Sequence, residues 1–202
     1  MSGVLLQGSL FTSPGDGVVV THARPVRHHL DELCWVDHAA GWLAGADDLL
    51  AELAARLPWR PGRRLMWGNW VDEPRLHFGG TPRAIDAHPA IRAIGDALST
   101  TYHDDLRTMF ANYYRDGHDA VAWHGDRIGR LRVDPLVAIV SLGGPRRFSM
   151  RPNGGGASTT FVLHSGDLLV MGGACQHRWQ HAVPRMRSAS ARISLTFRVE
   201  RG

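Results

Sequence analysis

In the run Trp123-His124-Gly125-Asp126 an imidazole and a carboxylate stand two residues apart. On extended backbone that spacing aims both side chains at the same face, so two metal ligands converge without a helix. A second histidine from a separate strand would complete two histidines and one carboxylate on one octahedral face, with three positions open. That arrangement is associated with Fe(II) oxygenases, whereas zinc usually takes a closed or nearly closed tetrahedron. His181, in the run WQHAVP just after an expected strand, is the preferred third ligand. His177, four residues earlier, reads as a solvent-facing loop histidine, and His164 as a turn or core histidine. With 12 histidines in the chain the pair alone is a weak signal, since a surface strand with two polar outward residues has the same pattern.

A second candidate lies near the C-terminus. In ARISLTFRV, residues Ile193, Leu195, Phe197 and Val199 share one face, and Arg192, Ser194, Thr196 and Arg198 the other. If the polar face points inward, its two charges need partners. The two arginine Cα atoms are about 20 Å apart along a strand, and side chains leaning together would reach the two ends of a short dicarboxylate. An ordinary amphipathic strand with its arginines in water is the alternative.

Gly45 to Leu57 repeats apolar residues at helical spacing and stops at Pro58. Pro89 to Tyr102 is a second helical pattern, with Ile91, Ile94 and Leu98 on one side. Trp59 to Gly80, rich in Pro, Gly, Trp and Arg, reads as short strands joined by exposed loops. From Met109 onward the pattern is of short strands punctuated by glycine: Leu136 to Leu142, Arg147 to Arg151, Thr159 to Leu163, Asp167 to Met171 and Ala191 to Val199. Such spacing suggests an antiparallel sandwich or open barrel.

A length of 202 residues fits a single domain, with an N-terminal part over about 1–108 and a catalytic core over about 109–202. No signal sequence and no stretch of eighteen apolar residues is found, and the two cysteines, Cys34 and Cys175, match no metal or redox spacing, so a cytoplasmic protein without a membrane span is expected. A monomer is the expected state. All basic residues are arginine: Met1 to Tyr114 holds 10 against 13 acids, a net of −3, and Arg115 to Gly202 holds 13 against 6, a net of +7. The positive half carries the candidate site, which suits an anionic partner such as a nucleic acid or a small carboxylate.

Taken together, NYYRDGHDAVAWHGD (112–126), GDLLVMGG (166–173), WQHAVP (179–184) and RISLTFR (192–198) resemble the AlkB family of Fe(II) and 2-oxoglutarate dioxygenases. The resemblance implies a mainly β fold with flanking helices: a double-stranded β-helix, or jelly roll, with N-terminal helices and a nucleotide lid. It implies His124, Asp126 and His181 as iron ligands, and Asn112, Tyr114, Arg192, Thr196 and Arg198 as contacts of 2-oxoglutarate. The implied enzyme uses Fe(II), 2-oxoglutarate and O2 to hydroxylate an N-alkyl carbon on a base in DNA or RNA, giving succinate and CO2 and releasing an aldehyde. The alkylated base must be single stranded or flipped out. Trp67, Trp70, Arg75 and Arg127 are candidate substrate contacts, the tryptophans by stacking and the arginines, with Arg63 and Arg64, at phosphates. Two departures from the family pattern stand out: Arg127-Ile128 where many members carry further acids, and Ser194 where asparagine is common. The alternatives are a hydroxylase or demethylase of protein or small-molecule substrates, or a noncatalytic nucleic-acid binding module.

Overall fold

The computed structural model describes residues 17–66, 68–126 and 133–199. Fourteen strands and three α-helices are found among them. The N-terminal part contains β1 (Val19–Val20), β2 (Val26–His29), β3 (Cys34–Ala39), β4 (Leu43–Ala44), α1 (Ala46–Arg56), β5 (Arg60–Met66) and β6 (Asn69–Gly79). A 3-10 helix at Pro82–Ala87 leads into α2 (Pro89–Tyr102) and β7 (Thr108–Tyr114). The remainder comprises β8 (Val121–His124), β9 (Val137–Gly143), β10 (Arg146–Pro152), β11 (Thr159–Leu163), β12 (Leu168–Gly173), α3 (Cys175–Arg178), β13 (Trp179–Val183) and β14 (Arg192–Arg198).

Two antiparallel sheets face each other, as expected for a double-stranded β-helix. The larger has the order β2-β3-β12-β9-β14-β7-β6-β5 and the smaller β11-β10-β13-β8. Strand β9 is buried along almost its whole length because both faces of the larger sheet are covered. On the outer face Ala138, Val140, Leu142, Ile193, Leu195 and Phe197 pack with Leu49 and Leu53 of α1 and Ile91, Ile94 and Leu98 of α2. On the inner face Val137, Ile139, Leu169 and Met171 meet Phe148, Met150, Phe161 and Val183 of the smaller sheet. Strand β14 separates these environments: its apolar residues join the helices, and Arg192, Ser194, Thr196 and Arg198 turn toward the smaller sheet.

Both helices are set by local signals. Asp47 and Asp48 in the first turn of α1 and Arg56 in its last complement the helix dipole. Helix α2 starts with Pro89, and the His88 side chain accepts a hydrogen bond from the Ala90 N–H.

The Trp59 to Gly80 stretch differs from expectation. It forms one long hairpin, β5 with β6, whose register shifts between Pro61 and Arg63, and β6 continues the larger sheet through β7. Its periodicity is obscure because Asn69 to Asp72 are exposed on both faces while Glu73 to Gly79 are only half-buried. Strands β2 and β3, which extend the sheet at its other edge, also escape the sequence reading.

Candidate metal centre and cosubstrate pocket

His124 ends β8, and His181 lies within β13 rather than after a strand. The two are direct partners across the ladder, and the pairing shifts register immediately beyond, between His181 and Val183. Such an irregularity re-aims side chains. The imidazole rings lie 4.3 Å apart at 58°. Asp126, two residues past His124, brings a carboxylate oxygen to 3.9 Å from His181 Nε2. One ligand atom from each residue lies within 4.8 Å of the other two, the only such grouping among the described residues.

The protonation pattern suits a cation. His124 Nδ1 donates to the Ala122 carbonyl at 2.9 Å, which leaves the Nε2 lone pair for a metal. His181 is buried, with its ring stacked on Phe148 at 5.3 Å. Burial, reinforced by His124 and opposed by Asp126, pushes its pKa down to about 4, so the ring is neutral and able to ligate near pH 7. His177 is exposed on α3 and His164 is exposed after β11; neither belongs to this group.

Beside the triad opens a cavity of about 630 Å³, lined among others by Asn112, Tyr114, Ser194, Thr196 and Arg198. The Arg198 guanidinium lies 3.9 Å from the Asp126 carboxylate and 4.0 Å from the centre of the Phe110 ring. Arg192 is not part of the described cavity wall; it sits behind Tyr114, which is. It is 1% exposed, and its Nε donates to Ser141 Oγ at 2.8 Å. Its Nη1 is buried without a hydrogen-bond partner, and burial pushes its pKa down to about 10. Tyr114 lies between Arg192 and Arg146, their guanidinium carbons 5.4 Å and 5.3 Å from the ring centre. Arg146 donates to the carbonyls of Asp116 and Asp119. A desolvated guanidinium with an unfilled N–H is stabilised by a carboxylate, and among the described residues Arg192 has no ion pair. The residues present therefore fit a dicarboxylate beside a two-histidine, one-carboxylate metal.

Strand β6 sets Arg75, already a candidate substrate contact from the sequence, in a network with Asn112, Glu73 and His77 that the sequence did not reveal. Arg75 lines the cavity; its Nε donates to Asn112 Oδ1 at 3.0 Å and its Nη2 to Glu73 Oε1 at 3.2 Å. Glu73 Oε2 is 2.7 Å from Nε2 of His77, whose pKa is lowered by burial. Period-2 spacing of Glu73, Arg75 and His77 was the available signal, but it needed a strand assignment. Arg146 was likewise legible only through Phe148 and Met150, its apolar companions on the inner face of β10.

The other substrate candidates fall elsewhere. Trp70 is 62% exposed near the hairpin tip and is not part of the cavity wall; Arg63 is paired with Asp72 at 3.0 Å. Trp67 and Arg127 lie outside the described residues, as does the Arg64 side chain.

The family model described as the 2OG-Fe(II) oxygenase superfamily matches residues 70–198. The human protein "Alpha-ketoglutarate-dependent dioxygenase alkB homolog 3" is 30% identical over 174 residues, 76% of this chain and 61% of that protein. The chain thus spans about three fifths of that relative's length. The human "DNA oxidative demethylase ALKBH2" is 27% identical over 179 residues, covering 77% of this chain and 69% of its own. Among solved structures, that of OsALKBH1 superposes with a TM-score of 0.54 at 16% identity, over 87% of this chain and 100% of the other, a likeness of fold. No helix among the described residues is long and apolar enough to cross a membrane. The chain belongs to the 2OG-Fe(II) oxygenase superfamily as an AlkB-like member, the group whose chemistry rests on Fe(II), 2-oxoglutarate and O2 and whose metal site His124, Asp126 and His181 fit.

Proposed function

We propose that this chain is an oxidative demethylase of N-alkylated bases in nucleic acid, acting as a cytoplasmic monomer. One observation carries the reading: the His124, Asp126 and His181 triad opens onto a cavity backed by a buried arginine whose N–H is unfilled. The names of the two human relatives, an α-ketoglutarate-dependent dioxygenase and a DNA oxidative demethylase, supply the chemistry and the substrate class.

When bound, Fe(II) with 2-oxoglutarate and O2 supplies the oxidising equivalents that hydroxylate the N-alkyl carbon. The protein's part is ligation, orientation and exclusion of water. His124, Asp126 and His181 hold the metal. Arg198, beside Asp126, and the buried Arg192, behind Tyr114, would hold the two carboxylates of the cosubstrate. Asn112, oriented by Arg75, and Thr196 fix the chain between. Arg75 stands where β6 meets the cavity and contacts the incoming nucleotide; Trp67, Trp70 and Arg127 are further candidates for that contact. Phe148 and Val183 keep bulk water from the inner wall.

Purified protein with Fe(II), ascorbate and 2-oxoglutarate, given methylated single-stranded DNA, RNA or free nucleosides, tests the reading by mass spectrometry. The expected result is loss of the base methyl group matched by succinate. Succinate formation that no methylated base increases would remove the nucleobase assignment. Sedimentation of the purified chain tests the monomer.

A further inference from the structure

We propose that the outer face of the smaller sheet is a second nucleic-acid contact, a track for the phosphates and unpaired bases that flank the reacting nucleotide. This rests on the nucleobase reading above and extends it from one base to the strand that carries it. Phe148 and Met150 of β10 turn into the core, so Arg147, Ser149 and Arg151 turn outward. By the same alternation Trp123 of β8 and Ala182 of β13, next to His124 and His181, face away from the metal centre. Register then sets Thr160, Ser149 and Ala182 side by side across three strands.

Charge selects the occupant. No acid occurs in β8, β10, β11 or β13. Arg147, Arg151 and Arg185 lie on this face or at its border, and none has a carboxylate partner among the described residues. The bordering acids are engaged: Asp72 with Arg63, Glu73 with Arg75 and His77, and Asp31 with Arg178. The cations left over favour a polyanion. Arg147 and Arg151, on one strand, have Cα atoms about 13 Å apart, so each takes its own phosphate.

A base has a place as well. Small side chains at Ser149 and Ala182 leave a groove of about 380 Å³, lined also by Trp123 and by Val71 and Pro74 of β6. The Arg151 guanidinium carbon lies 4.2 Å from the centre of the Trp123 ring, and its Nη2 donates to Gln180 Oε1 at 3.3 Å. That fork is held before any ligand arrives, so little side-chain freedom is lost on gripping a phosphate. Trp123 and Val71 offer the apolar surface on which an unpaired base rests. Arg75, Val121 and Val183 line both the groove and the cavity beside the metal triad. A strand whose reacting base enters the cavity therefore meets the groove with its next nucleotides.

The test compares a trinucleotide with a fifteen-nucleotide single strand, both carrying at the centre a methylated base that the protein demethylates. Binding is read by fluorescence anisotropy with Mn(II) and N-oxalylglycine in place of iron and cosubstrate, and demethylation by mass spectrometry with Fe(II). The longer strand should bind at least tenfold tighter. Combined Arg147→Glu, Arg151→Glu and Arg185→Glu should abolish that gain and leave trinucleotide binding and demethylation unchanged, whereas lysine at the same three positions should keep most of it. No gain in the parent, a gain retained by the Glu variant, or an equal loss on both lengths overturns the inference while the nucleobase reading stands. Vesicles of equal phosphatidylserine and phosphatidylcholine bound by the parent and not by the Glu variant, with the strand-length gain retained, would assign the face to a lipid surface instead. If no methylated base is demethylated in any strand, the reading and the inference fall together.

Discussion

Each ligand of the metal triad is held by something other than the metal. His124 is fixed through the Ala122 carbonyl, His181 is clamped by Phe148 and its strand, and Asp126 faces Arg198. The triad lies at the mouth of the sandwich and nucleates no core. His124→Ala, Asp126→Ala and His181→Ala should therefore each abolish tight Fe(II) binding while far-UV circular dichroism stays unchanged, and the exposed His177→Ala should do neither. Iron retained by the His181 variant and lost by the His177 variant would reverse the assignment. Arg192 makes a different prediction. Its desolvation is already built into the fold, so removing the guanidinium costs little structure but leaves a ligand carboxylate unpaired, a loss on the order of 2–5 kcal/mol. Arg192→Met should weaken calorimetric binding of N-oxalylglycine to the Mn(II) protein by at least tenfold, with metal affinity unchanged. Unchanged cosubstrate affinity would mean that this arginine is purely structural.

Strands that carry the chemistry are placed by neighbours that carry none. Strand β7 brings Asn112 and Tyr114 to the cavity, and its position against β6 depends on Gly79, where φ is +103° and a Cβ would lie 2.5 Å from the Met109 carbonyl oxygen. Gly79→Ala introduces strain of about 1–3 kcal/mol. At roughly 2–4 °C per kcal/mol for a chain of this size, thermal unfolding should fall by several degrees, and a Tm equal to that of the parent would contradict the close approach. The same dependence on neighbours explains what the sequence could convey. Helices α1 and α2 announce themselves through periodic leucines and isoleucines, and β14 through strict alternation, because each buries one face against a single partner. His124 and Asp126 were legible because two ligands share one local strand. The pairing of His124 with His181 is a long-range fact of the ladder, and the fourfold family motif rather than spacing carried it into the sequence reading. Strands β2, β5 and the outer part of β6 were obscure because strands exposed on both faces show no clean alternation, and β3, though mostly buried, because Asp37 and His38 interrupt its apolar run. Trp70, an aromatic residue within an arginine-rich stretch, was legible as a candidate for stacking, and the hairpin holds it exposed near its tip, off the described cavity wall.

At the scale of the molecule, charge governs both stability and encounter. Asp31, in the turn between β2 and β3, accepts hydrogen bonds from Trp179 Nε1 and the Leu33 N–H, both at 2.8 Å, and so ties that turn to the start of the strand bearing His181. Burial acts against its charged form, but these donors, with Cys34 and the Arg178 charge, hold its pKa at about 2 against an ordinary 3.8. A depressed carboxylate stabilises the fold above its unfolded pKa, and that contribution is lost as pH falls through the folded one. Asp31→Asn should therefore lower stability at pH 7 and flatten the acid limb of the stability curve between about pH 4 and pH 2; denaturant unfolding across that range gives the answer. Encounter depends on the arginine excess, +7 over residues 115–202 against −3 over 1–114. If that excess meets a phosphate backbone, binding of a short single strand must release counterions, with a log-log salt slope of roughly −0.7 for each phosphate neutralised. Arg60 at the cavity mouth makes no ion pair among the described residues and is free to take one such phosphate, whereas Arg92 is already paired with Asp86 on the helical side. Arg60→Ala should make the slope shallower by about 0.7, one phosphate's share, and Arg92→Ala should leave it unchanged. A slope near zero in the parent protein would remove the nucleic acid from the reading, because arginines that engage a polyanion must displace its counterions.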